Sequence, residues 1–190
     1  MTPSFEILHA RFQESLESFL WDQWIAIGVA GASPRRTIPF VVDPEALLLA
    51  TTQFARQDSR LMEEVLDWIL QNGDLLNLQR LKNVHANFQI GFSPAIREIA
   101  GNASASKQKS WEKLSTFGTE ESEFPSLYQK EIETRGMSSP PDPNLPSSFL
   151  FRMRALFGLN ARPEILAWLL THPTGHPARI AQETSWFSKS

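Results

Sequence analysis

Four prolines fall within the seven residues 140–146, at Pro140, Pro141, Pro143 and Pro146. Each holds φ near about −65° and lacks a backbone N–H, so neither a helix interior nor a central strand can run through the segment. The composition predicts a stiff, extended linker over 138–148, flanked by Ser and Asn. The chain then divides into a body, 1–137, and a shorter part, 149–190.

The body reads as helical throughout. Phe5, Leu8, Phe12, Leu16, Phe19, Leu20, Trp24 and Ile27 recur at three- and four-residue spacing, which predicts one amphipathic helix over 4–27, capped by Ser4 and closed by Gly28. Residues 28–34 read as a loop. Residues 37–42 are short and β-branched and admit a strand, which Pro39 confines to a sheet edge. Asp43-Pro44-Glu45 is a helix start with an N-cap, a proline at the first helical position and an acid in the first turn. Asp58 caps the next helix, whose apolar face is Leu61, Met62, Val65, Leu66, Trp68 and Ile69, and Asn72-Gly73 predicts a left-handed end. A Leu-rich helix follows over 75–88, with Arg80 and Lys82 on its wet side. Ser93-Pro94 opens a short helix to Ala100, 101–106 reads as a loop, and Trp111, Leu114 and Phe117 dock one more helix.

Past the linker, 149–157 is an apolar helix with two arginines, broken by Gly158-Leu159-Asn160. A second helix over 161–170 offers Ile165, Leu166, Trp168 and Leu169 as its buried face. After a turn over 171–175, His176-Pro177 opens a third helix that runs to about Glu183. This last stretch meets the requirements of a helix-turn-helix, whose first helix crosses the DNA backbone and whose second enters the major groove. Ala181 is the small residue on which the second helix packs, and Ile180 faces the core. The chain turns at Ser185, where glycine is usual, and Phe187 plugs the core. Ser188 caps the reading helix, which would begin there, two residues before the sequence ends, and Lys189 adds a base.

The segments Arg162-x-Glu164-Ile165-Leu166-x-x-Leu169-Leu170, Ile180-Ala181-x-x-Thr184 and Phe187-Ser188-Lys189-Ser190 together resemble the front of a bacterial winged-helix domain. The likeness covers roughly the last 40 residues. It implies transcriptional regulation, or the DNA-binding half of an autoregulated toxin–antitoxin pair, with Arg179, Ser188, Lys189 and Ser190 as the DNA contacts. The rest of the reading helix and the β-hairpin wing are expected beyond these residues.

Charge follows the same division. From residue 149 onward five bases stand against two acids, a net +3, which leaves −6 on the remainder of a chain whose total is −3. A basic end on an acidic body suits a nucleic-acid module joined to a regulatory or oligomerising domain. Without Cys there is no disulfide, thiolate metal site or cysteine nucleophile. Gly28 and Gly31 follow a helix and precede no Lys, so they make no phosphate loop. His172 and His176 straddle Pro173 and Gly175, which spoils their helical spacing as metal ligands. Glu63, Glu64 and Asp67 read as a solvated face, as do Glu120, Glu121 and Glu123. Arg35 and Arg36 read as a solubilising pair or as partners of Asp43 or Glu45. No set of side chains suits an enzyme or a cofactor.

The expectation is a mainly α-helical protein: a helical regulatory or oligomerisation domain (1–137), the linker (138–148) and a partial winged-helix, helix-turn-helix segment (149–190). The partners expected are double-stranded DNA, for the full-length form, and a second copy in a homodimer. With no signal peptide and no apolar run long enough for a membrane, the location expected is the cytoplasm. The rival expectation is a helical interaction module, or an antitoxin-like one, that does not itself bind DNA.

Overall fold

A computed structural model describes residues 5–31, 38–55, 57–91, 93–118 and 134–186. Among these the chain is mainly helical and contains no strand. No described helix is long and apolar enough to cross a membrane.

The first helix, α1 (Phe5–Ile25), joins the core only through its second half. Leu20, Trp24 and the following Ile27 are buried, whereas Phe5, Leu8, Phe12 and Phe19 face outward and Leu16 is partly covered. The predicted stripe therefore exists as a stripe, but most of it is exposed rather than buried in the core. Residues 38–43 form no strand: Val42 spends its N–H on the Ser147 carbonyl at 3.1 Å, and Pro39 has none to give.

The predicted starts of α2 (Pro44–Phe54) and α3 (Ser59–Asn72) are present. Asp43 accepts from the Ala46 N–H at 3.1 Å, and Asp58 accepts from the Leu61 N–H at 3.0 Å. The end of α3 differs. Gly73 is right-handed (φ −64, ψ −16) and opens a 3-10 turn, Gly73–Leu75. A side chain there would meet the Trp111 indole nitrogen at 2.8 Å, so close approach, and not backbone sign, is what requires the glycine. Asn77 then caps α4 (Leu78–Phe88). Helix α5 (Ser93–Ala105) runs on through most of the segment read as a loop, because Ala103 continues the buried row of Ile96, Ile99 and Ala100. Trp111, Leu114 and Phe117 dock as expected, the first two from a 3-10 turn, Lys109–Leu114.

Three fully buried tryptophans organise the body. Trp24 and Trp68 meet edge-on at 5.6 Å. Each buried indole N–H has an acceptor: Thr51 Oγ1 for Trp24 (2.8 Å), the Ile27 carbonyl for Trp68 (2.8 Å) and the Gly73 carbonyl for Trp111 (3.2 Å). Large amphipathic rings tolerate such burial only when the polar edge is paired.

The proline-rich segment has no regular structure beyond one 3-10 turn, Pro146–Ser148, and the body supplies several of its hydrogen bonds. Asp67 accepts from the N–H groups of Gly136 (2.7 Å) and Ser138 (3.0 Å). Ser139 donates to the Gly28 carbonyl at 2.8 Å, and Ser147 Oγ to the Ala26 carbonyl at 2.8 Å. Glu64 pairs with Arg135. Of the three acids read as a solvated face, only Glu63 is exposed; Glu64 and Asp67 are buried against this strap. Glu120, Glu121, Glu123, Arg35 and Arg36 lie outside the described residues.

Beyond the strap come α6 (Phe149–Phe157), α7 (Ala161–Thr171) and α8 (Pro177–Glu183). Phe151 stands 6.3 Å from Trp68 and carries α6 onto the body's core. On α7 the buried residues are Pro163, Glu164 and Trp168, while Leu166, Leu169 and Leu170 are exposed and Ile165 is partly covered. Of the expected face only Trp168 is buried: α7 points that ring and a carboxylate, not its leucines, at the interior.

Candidate functional site

That carboxylate belongs to a buried charge network that joins the two parts of the chain. Arg154, on α6, lies three residues after Phe151 and four after Leu150, so helical periodicity carries it inward with them. Arg80 is in phase with Val84, Glu45 with Leu48 and Leu49, and Glu164 with Trp168. Arg154 grips Glu45 with both terminal nitrogens, at 2.8 and 2.7 Å. It also donates to Glu164 Oε1 from Nε (3.0 Å) and Nη2 (2.6 Å), and from Nη1 to the Leu75 carbonyl (3.0 Å). All five of its N–H donors are used.

Arg80 is the second hub, buried rather than on the wet side of α4. It takes Asp43 at 2.7 and 2.5 Å and Glu45 at 2.7 Å, and its Nε donates to the Thr184 carbonyl at 3.2 Å. Burial works against every charge here. For both guanidiniums the facing carboxylates prevail and raise the proton affinity, Asp43 first for Arg80 and Glu45 first for Arg154. Burial opposes ionisation of Asp43 too, but the Arg80 charge and hydrogen bond, aided by the Ala46 N–H, hold its carboxyl below the usual range. Asp43 and Glu45, read as partners for Arg35 and Arg36, are therefore engaged by Arg80 and Arg154.

The network ends at the turn after α8. Ser185 is fully buried and sits in the left-handed region at φ +59. Its carbonyl accepts from Asn83 at 2.9 Å and its hydroxyl from Asn87 at 3.1 Å, both on α4. Trp186, half-buried, donates its indole N–H to Glu164 Oε2 at 3.3 Å. One helix of the body, α4, thus holds two consecutive positions, the Thr184 carbonyl through Arg80 and the carbonyl and hydroxyl of Ser185 through two asparagines, while Glu164 of α7 holds Trp186.

On the outer side, α8 has no buried residue. Arg179 is exposed; its Nε donates to Glu183 Oε1 at 2.7 Å and its guanidinium lies 6.0 Å from the Trp168 ring centre. Trp168 stacks on His172 with centroids 4.0 Å apart and donates to Glu183 Oε2 at 2.6 Å. The hydrogen bonds from Arg179 and then Trp168 lower the proton affinity of Glu183. Of the four residues expected to contact DNA, Arg179 is placed on this surface, and Ser188, Lys189 and Ser190 lie outside the described residues, as does Phe187.

Among the described residues no group of three or more His, Asp or Glu side chains is set to hold a metal. The buried network has the donors and carboxylates of a binding site, but its groups are spent on one another. What it does is fix the position of the 184–186 turn. Comparison with protein-family models, with curated proteins and with solved structures finds no match to this chain.

Proposed function

We propose that this chain carries the body and the opening of the winged helix of a DNA-binding transcriptional regulator. One observation carries the reading: the chain turns, in a left-handed conformation, at Ser185, the position where the helix-turn-helix pattern demands a turn and usually has glycine. The exposed α8 with its outward Arg179 supports it, since the first helix of such a motif lies across the DNA backbone. Arg179 would exchange Glu183 for a phosphate. A dimer is the expected form, because operator symmetry mirrors protein symmetry.

The test is a gel-shift titration of the complete gene product against genomic fragments at several salt concentrations. A sequence-selective shift is expected, with the salt slope reduced by about one unit in Arg179→Ala and again in Lys189→Ala. No shift at low salt, or a slope unchanged in both variants, overturns the reading. A second reading, an interaction module without DNA contact, is favoured by the exposed Leu156, Leu166, Leu169 and Leu170 on α6 and α7. It predicts capture of a protein partner that Leu170→Glu abolishes, with no DNA shift.

A further inference from the structure

Helix α1 carries an apolar stripe with an unusual internal order, largely exposed except at Leu16, which also packs against the core. Phe5, Leu8, Phe12, Leu16 and Phe19 are spaced three, four, four and three residues apart. At 3.6 residues per turn they fall within an arc of about 80°, along roughly 21 Å of helix. Read from either end the stripe is the same, Phe-Leu-Phe-Leu-Phe, with Phe12 at its centre. Exposure is 82% for Phe5, 52% for Leu8, 67% for Phe12 and 48% for Phe19.

We infer that this stripe is the interface of a two-fold symmetric dimer in which the α1 helices of two copies of this chain pack antiparallel, crossing at Phe12. A two-fold interface must be self-complementary, each residue i meeting the j that meets it in return. The palindrome supplies that: Phe5 falls on the partner copy's position 19, Leu8 on its position 16, and Phe12 on its own counterpart. Where the foreign Phe5 lands, the apolar surface continues, because the Phe19 ring lies 6.3 Å from that of Phe40, itself exposed.

The area agrees. Taking about 200 Å² for a fully exposed phenylalanine, the four exposed residues present about 500 Å² of apolar surface per copy. A pair then buries about 1,000 Å², the threshold for a specific interface, and the flanks of α1 add to it. This pairing stands apart from the DNA reading, since association is measured without DNA.

The experiment is sedimentation equilibrium on the chain and its variants, followed by cross-linking. The chain is expected at twice its 21.5 kDa mass at micromolar concentration. Phe12→Glu and Phe12→Lys, each at an exposed position that spares the core, are each expected to weaken association roughly 100-fold, because the change acts once per copy. Mixing the two restores a dimer, since position 12 faces itself. A chain without Cys makes direction testable: Leu8→Cys mixed with Leu16→Cys forms a disulfide, while Leu8→Cys alone does not. A monomer up to about 100 µM, association unaffected by Phe12→Glu, or self-linking of Leu8→Cys alone each overturns the proposal.

Discussion

Arg154 shows what a single residue carries here. Removing one partner of a buried ion pair strands the others, so Arg154→Met leaves Glu45 and Glu164 without their shared cation and is expected to cost about 3–5 kcal/mol, read as a lower urea midpoint. Arg154→Lys fails to rescue it, since an ammonium cannot span Glu45 with two nitrogens while reaching Glu164 and the Leu75 carbonyl. Asp43 adds a pH signature. Its carboxyl is held below the ordinary value when folded, so its contribution is complete above the unfolded value of about 3.9 and is lost as pH falls through the folded one. Asp43→Asn keeps the helix cap and removes the charge, so its stability is expected to fall less steeply than that of the parent chain between pH 4 and lower pH. Matching acid profiles would contradict this. These residues were half legible in the sequence. Asp43 was readable as a cap because capping is local. Arg80, Arg154, Glu45 and Glu164 were in phase with core positions, but such a phase does not reveal a charge's burial when its counter-charges come from elsewhere in the chain, as Glu45 does for Arg154 across 109 positions.

Elements show a similar split between local and distant causes. The starts of α2 and α3 lay in the text because Asp-Pro-Glu and Asp58 act within one turn. The course of α5 past Ala100 did not, since Gly101, Asn102 and two serines obscure a helix that the packing of Ala103 sustains. The left-handed positions give two contrasting predictions. Gln89 ends α4 at φ +50 with its side chain exposed, so Gln89→Gly is expected to raise stability by up to about 1 kcal/mol in urea unfolding. At Ser185 glycine would relieve similar strain but forfeit the bond from Asn87, so Ser185→Gly should be nearly neutral. Ser185→Val adds a branched Cβ at φ +59 and loses the hydroxyl, and should cost about 2 kcal/mol or more. Equal stabilities for the two Ser185 variants would show that the turn is not held as described. The segment 138–148 was expected to be extended because prolines enforce it locally. That it lies on Asp67, Gly28 and Ala26 depended on partners the prolines do not name.

At the scale of the molecule, hydrogen bonds and buried charges tie 149–186 to α2 and α4, so loosening the network should free the C-terminal helices before the body. Limited proteolysis of Arg154→Met is expected to cut first within 158–186 while residues before 118 stay protected; uniform cleavage along the chain would refute that order. Helical class and the broad division of charge were readable in the sequence, whereas the meeting of the two parts was not, because it rests on pairs more than 100 positions apart, such as Arg80 with Thr184 (104) and Arg154 with Glu45 (109). The same tie sets how the molecule bears load. Tension applied beyond Trp186 does not reach α8 alone. It passes through the backbone at Thr184 and Ser185 into Arg80, Asn83 and Asn87, and from Arg80 into the start of α2. Several bonds on one helix then share the force, so the 184–186 turn is fixed to the body as a lever on a rivet plate, and a pull on it is felt at Glu45.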